Sequence, residues 1–170
     1  MQRISEIYGR FLEFLGVLAA LLLLAMVIIV TADILLRNLF VSGFVWANEV
    51  SEYSLYLITL LTAPWLLRRG QHVRLDLILT AVPQRIAWLL EGAGDLIGFV
   101  VCLAMLWYSW LMTSEAWRIG SITIKNLVFP EWWMLAPLPA CFLLLTIEFV
   151  FRFQRLMQSR NRREEATSVA

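Results

Sequence analysis

The sequence predicts an all-α integral membrane protein: four transmembrane helices, short interfacial helices, and N- and C-termini both on the cytoplasmic side. Three observations predict it. The chain has 170 residues, of which 61% are hydrophobic and 16% charged, whereas a soluble domain is about half apolar and about a quarter charged. The charges leave four long apolar windows. The arginines and lysines then fall unevenly on the two sides those windows define.

A helix needs roughly 20 mostly apolar residues to cross the hydrocarbon core. Residues 14–32 and 53–67 carry no charge, and residues 96–114 and 132–147 form the third and fourth windows. With their flanks they give spans at about 14–36, 46–67, 88–115 and 131–153, within a membrane domain of residues 1–155. A polar cytoplasmic tail, disordered from residue 160, follows over 156–170. Lipid cannot satisfy open backbone groups, which favours helices, and the runs lack the alternation of a β-barrel. The first window is too long for a signal-peptide core and lacks a small-x-small cleavage site, so it reads as an uncleaved anchor.

Orientation follows from the basic residues. Arg3, Arg10, Arg68, Arg69, Arg74, Arg85, Arg152, Arg155, Arg160, Arg162 and Arg163 fall on one side; Arg37, Arg118 and Lys125 fall on the other. The positive-inside rule places the richer side in the cytoplasm. Trp46, Trp65, Trp88, Trp117, Trp132 and Trp133 lie near span ends, where an aromatic belt is expected.

Between the spans, residues 1–13 can set Ile4, Ile7, Tyr8, Phe11 and Leu12 on one helical face. They form either a helix lying flat among the headgroups or a cytoplasmic extension of span one. Residues 70–87 are too charged to cross and predict a short interfacial helix ended by Pro83.

Ionisable groups at membrane depth need a partner or a task. Asp33 and Arg37, and Glu148 and Arg152, are each four apart and can pair along one helical face. Glu49 and Glu52 share a face at the start of span two and repel unless a cation or another protein segment meets them; Arg37 is the nearest cation in sequence. They mark either an interface or a solvated outer surface. Glu91 and Asp95 form a similar pair beside Gly94-x-x-x-Gly98, a spacing that admits close helix packing. Pro64, Pro137 and Pro139 fall inside spans, as simple kinks or as the broken helices transporters use.

Much chemistry is excluded. The single histidine, His72, rules out bis-histidine haem and a zinc cluster. Cys102 and Cys141 lie in apolar runs and read as small buried hydrophobes. No phosphate loop or nucleophile elbow occurs, and a net charge of +1 gives no reason to propose nucleic acid. With no charge in the middles of the spans, a self-sufficient ion-coupled carrier is disfavoured. What remains is a membrane subunit that works by packing against a larger partner.

Several stretches carry a family resemblance. Arg37-Asn38 is followed by Trp46-Ala-Asn-Glu49-Val-Ser-Glu52; then come Arg69-Gly-Gln-His72-Val-Arg-Leu-Asp76 and Val82-Pro83; then Lys125-Asn-Leu-Val-Phe-Pro130-Glu131-Trp-Trp133 and Pro137-Leu-Pro139. In order and placement they resemble the small membrane subunit, DctQ type, of tripartite ATP-independent periplasmic (TRAP) transporters, over roughly residues 10–155. The resemblance implies a bacterial inner-membrane protein, without cofactor or catalytic activity, that scaffolds a large membrane subunit. That subunit imports an organic acid with a sodium gradient, and a periplasmic solute receptor delivers the acid. The alternative is a stand-alone four-helix secondary carrier. Arg37, Glu49, Glu52, Lys125, Pro130 and Glu131 are the candidates for contact or structure at the outer surface. His72, Arg74 and Asp76 are the candidates for ordering the inner loop, where phospholipid headgroups are a further partner.

Overall fold

In the computed structural model the backbone is described for residues 2–40, 43–69, 84–124 and 128–168; side chains at both ends of the chain, beside the gaps and at positions 84–89, 91, 156 and 158–168 are not. The elements are α1 (Gln2–Phe40), α2 (Ala47–Arg69), α3 (Gln84–Ile119), β1 (Ile122–Ile124), β2 (Val128–Pro130), α4 (Trp132–Leu135) and α5 (Pro137–Ser168). Among the described residues, four stretches are long and apolar enough to cross a membrane: Ser5–Leu39, Ala47–Arg69, Gly92–Ile119 and Trp132–Arg155. The all-α membrane class expected from composition is therefore the class observed.

The helices pack as a row. α1 lies along α2, α2 meets α5, and α5 lies along α3. Few of the described side chains are hidden: Leu12, Leu15 and Ala19 of α1, Ala47 of α2, Cys102 and Ala116 of α3, and Cys141 of α5 form the apolar core. Small residues recur because lipid tails give helices no hydrophobic reason to associate, so close backbone approach must supply the attraction. Gly98 shows this directly: a Cβ there would stand 2.5 Å from the Phe149 ring of α5. Gly94, the other half of the motif, has nothing within 4 Å of that position, so only one glycine of the pair serves the packing.

α1 runs unbroken from Gln2, so of the two arrangements expected for the first residues, 2–13 take the one that extends the first span. Local structure departs from expectation at other points. Pro137 and Pro139 stand in the first turn of α5, where the missing N–H donors are tolerated. They interrupt the hydrogen-bond ladder between α4 and α5, while Ala136 keeps helical angles (φ −56°, ψ −37°) and donates its N–H to the Trp132 carbonyl. Pro64 is buried inside α2, which continues through it. The polar end of the chain, expected to be disordered, carries α5 on to Ser168. Its Arg, Glu and Gln are good helix formers.

A small antiparallel hairpin, absent from the expected architecture, joins α3 to α4. Ile122 pairs with Pro130, Thr123 with Phe129 and Ile124 with Val128. β-branched residues suit both strands, and a proline is acceptable at the end of a two-stranded edge. α3 stops at Gly120, whose φ of 67° suits a residue without Cβ; its N–H and that of Ser121 both reach the Ala116 carbonyl. The predicted interfacial helix at 70–83 lies outside the described residues.

Candidate functional site

The charged residues gather at the two ends of the row. At the end holding the start of α1 and the finish of α2, they form a clasp across all four spans. Its centre is Glu148, whose side chain has no solvent exposure. Arg68 of α2 approaches it through Nη1 at 3.3 Å, and Arg155, two turns further along α5, approaches at 3.6 Å. Arg68 also donates through Nη2 to the Ser5 carbonyl of α1 at 2.7 Å. Glycine at residue 9 leaves it room to cross α1: a Cβ there would lie 2.7 Å from that same Nη2. Arg155 reaches Ser5 Oγ at 3.4 Å.

Tyr8 completes the junction of α1 with α5. Its hydroxyl donates to the Leu144 carbonyl at 2.7 Å, its ring packs on Phe151, and the Arg68 guanidinium lies 5.7 Å from its centroid. The last helix joins through Arg152, which holds Asp95 of α3 at 2.9 Å. Asp95 is buried, and Arg152 is 16% exposed. At the rim, the Arg69 guanidinium stacks on the Trp65 ring at 4.6 Å.

This arrangement overturns the expected pairing of Glu148 with Arg152. The two share one side of α5, but Arg152 is captured by α3 and Glu148 by α2 and the following Arg155. Glu148 lies toward the end of the span Trp132–Arg155, compensated by two cations, so the middles of the spans remain uncharged, as expected.

At the opposite end, the predicted Asp33–Arg37 pair forms, with Arg37 Nε 2.9 Å from Asp33 Oδ2. The other carboxylate oxygen, Oδ1, accepts the Phe44 N–H at 2.6 Å and so fixes the turn into α2. Glu49 is buried and Glu52 exposed, both in the first turns of α2. Pro130 ends β2 and is exposed. Glu131 is exposed too, and begins α4 with its carbonyl accepting the Met134 N–H at 3.0 Å and its own N–H donated to the Ser121 carbonyl at 3.0 Å. His72, Arg74, Asp76 and Lys125 lie outside the described residues. Beside this end, Tyr53, Tyr56 and Leu57 of α2, Phe129 of β2, and Trp133 and Met134 of α4 line an apolar groove of about 260 Å³. Tyr53 and Phe129 meet edge to face across it at 5.3 Å.

Among the described residues no three His, Cys, Asp or Glu side chains gather as metal ligands. Buried carboxylates compensated by arginines at a helix junction hold helices in register, and such groups are costly to separate once formed. The sequence pattern along most of the chain now decides the family: residues 26–159 match the model of the tripartite ATP-independent periplasmic transporters, DctQ component. The chain belongs to the DctQ family. A comparison with curated proteins finds no match. Membership makes this DctQ chain the small subunit of a TRAP transporter, a multi-pass membrane component of a transport system. The clasp residues Arg68, Asp95, Glu148, Arg152 and Arg155 all lie within the matched region, whereas Ser5 and Tyr8 precede it.

Proposed function

We propose that this DctQ chain is a rigid scaffold for the large membrane subunit of a TRAP transporter in the bacterial inner membrane, and that the complex imports an organic acid with a sodium gradient. The observation that carries the scaffold reading is the clasp. One buried carboxylate and its arginines tie α1, α2 and α5 together, and Arg152 adds α3. A helix row tied across all its members at one end suits a body against which another subunit moves. Both termini and the clasp face the cytoplasm, following the excess of arginine at that end. Arg37, Glu49, Glu52, Lys125, Pro130 and Glu131 face the periplasm, where the large subunit and the docked receptor are met. His72, Arg74 and Asp76 order the cytoplasmic loop and contact phospholipid headgroups.

Glu148 also supports the second reading, because a stand-alone carrier needs a membrane-embedded carboxylate. Its two cations leave it closed rather than available, which favours the scaffold. Reconstitution separates the two. Sodium-driven uptake of an organic acid is expected only when the small chain, the large subunit and the receptor are all present. Accumulation by the purified small chain alone would overturn the scaffold reading.

A further inference from the structure

We infer that the stripe of α3 centred on Trp107 and Trp110 is the surface on which a transmembrane helix of the large subunit docks. This rests on the reading of the chain as the scaffold subunit and adds which face of it is used. Leu96, Val100, Leu103, Trp107, Trp110 and Trp117 follow one another at alternating steps of four and three, with Ser114 completing the series between the last two. Such spacing lines them along one side of a helix and matches the seam by which two helices pack at a shallow angle. Each of the six is more than half exposed, and the three indoles are 65%, 64% and 62% exposed.

Depth makes this stripe unusual. The uncharged run of residues 96–114, between Asp95 and Glu115, is centred on Met105. At 1.5 Å per residue, Trp107 and Trp110 stand only about 3 and about 8 Å from its middle, well inside a hydrocarbon half-thickness of about 15 Å. Tryptophan belongs at the membrane surface, where its N–H can meet water or headgroups. In the centre of the bilayer lipid offers that N–H no acceptor, whereas a neighbouring helix can. The corresponding outward stripe of α1 carries Phe14, Val17, Leu21, Leu24 and Ile28, equally exposed but without an indole or any other polar group. That is a face lipid satisfies, and the contrast separates the two surfaces.

Area and continuity point the same way. The three indoles alone offer roughly 450 Å² of uncovered surface, more than half of the ~800 Å² one partner contributes to a standard interface. The stripe also continues past the end of α3. Trp117 meets Trp132 edge to face at 4.6 Å, and Trp132 meets Trp133 at 5.8 Å. Trp133 is a wall of the apolar groove beside α2. A helix seated on Trp107 and Trp110 would thus have an aromatic track leading to a groove able to take one of its side chains.

The test uses the full chain, affinity-tagged and co-expressed with the large membrane subunit of its transporter. Trp107→Leu/Trp110→Leu keeps the stripe apolar but removes the indoles. Leu21→Ala/Leu24→Ala perturbs the α1 face as a control. At least tenfold less large subunit is expected with the tryptophan variant, and near wild-type recovery with the control. Benzoylphenylalanine placed at position 110 of the otherwise native chain is expected to cross-link to the large subunit, and at position 24 is expected not to; this readout stands even if the double variant folds poorly. Wild-type recovery by a folded tryptophan variant, cross-linking at position 24 instead of 110, or cross-linking of position 110 to a second copy of the chain would each overturn the docking face while leaving the subunit reading intact. Failure of the unaltered chain to recover any large subunit would overturn the subunit reading itself.

Discussion

Replacing Arg68 with methionine tests the clasp where it is most exposed to refutation. Glu148 is fully buried, so the substitution leaves an ion inside the helix row with Arg155, at 3.6 Å, as its remaining ion-pair contact. Removing one partner of a buried pair costs about 3–5 kcal/mol. The surviving Arg155 contact holds the loss to the lower end, while the lost 2.7 Å bond to the Ser5 carbonyl adds about 1 kcal/mol. The expected penalty is therefore roughly 3–4 kcal/mol. Glu148→Gln should be milder. It abandons two guanidiniums that are 22% and 38% exposed and can turn to water, so about 1–2 kcal/mol is lost. Once Glu148 is neutral, Arg68→Met should cost only about 1 kcal/mol more, giving a coupling of about 2–3 kcal/mol. The measurement is equilibrium unfolding in mixed micelles, followed by helix content, for the two single variants and the double. Additive effects, with coupling under about 0.5 kcal/mol, or an Arg68→Met no worse than Glu148→Gln, would refute the account of Glu148 as a buried charge dependent on α2.

Three further outcomes follow from the packing, the turn and the orientation. Gly98→Leu drives a side chain into the Phe149 ring of α5 and should destabilise by about 1–3 kcal/mol, with Phe149→Ala in the same chain recovering part of the loss; no change on unfolding would show that α3 and α5 are not in close contact there. Asp33→Asn removes the charge that accepts the Phe44 N–H and pairs with Arg37. Amide exchange at Phe44 should then accelerate roughly 10–100-fold, as loss of a charged hydrogen bond implies, and unchanged protection would detach Asp33 from the turn. Finally, Cys102 and Cys141 are buried, so a cysteine placed at exposed Asn38 or Arg10 can be labelled selectively. A membrane-impermeant maleimide added to intact cells should modify Asn38→Cys and spare Arg10→Cys; the reverse pattern would invert the proposed orientation.

The spans were legible because a run of about 20 apolar residues has few other uses. Asp33–Arg37 was legible because both residues lie on one helix, where a separation of four is a contact. The same rule misled at Glu148. It offered Arg152 as the partner, and the real partners include Arg68, eighty residues earlier, because a periodic pattern says nothing about which helix lies beside which. A depth argument could have found them. Arg68 ends span two, Glu148 lies near the end of span four and Asp95 near the start of span three, so all stand on one side of the membrane in an alternating topology. The glycine motif shows the same limit: spacing proposed both Gly94 and Gly98, and only the position of Phe149 selects Gly98. The hairpin went unseen because three-residue strands are too short to show alternation.

The interior of this chain explains why its outer faces carry so much of its function. Asp33, Glu49, Asp95, Ser109 and Glu148 are buried alongside a short set of small or aliphatic residues. A soluble protein with so little buried apolar surface would not hold together, because burial is its main driving force. In lipid that force between helices is absent, and polar pairs with close packing decide which helix meets which. The clasp thus supplies the specificity that a large core supplies elsewhere, and it does so with few residues. Sparing the helices from burying their bulk leaves long outward faces on α1 and α3 free to differ in chemistry. α1, which carries no indole, suits lipid and indole-bearing α3 suits protein, so one thin row of helices can stand between a bilayer and a larger partner.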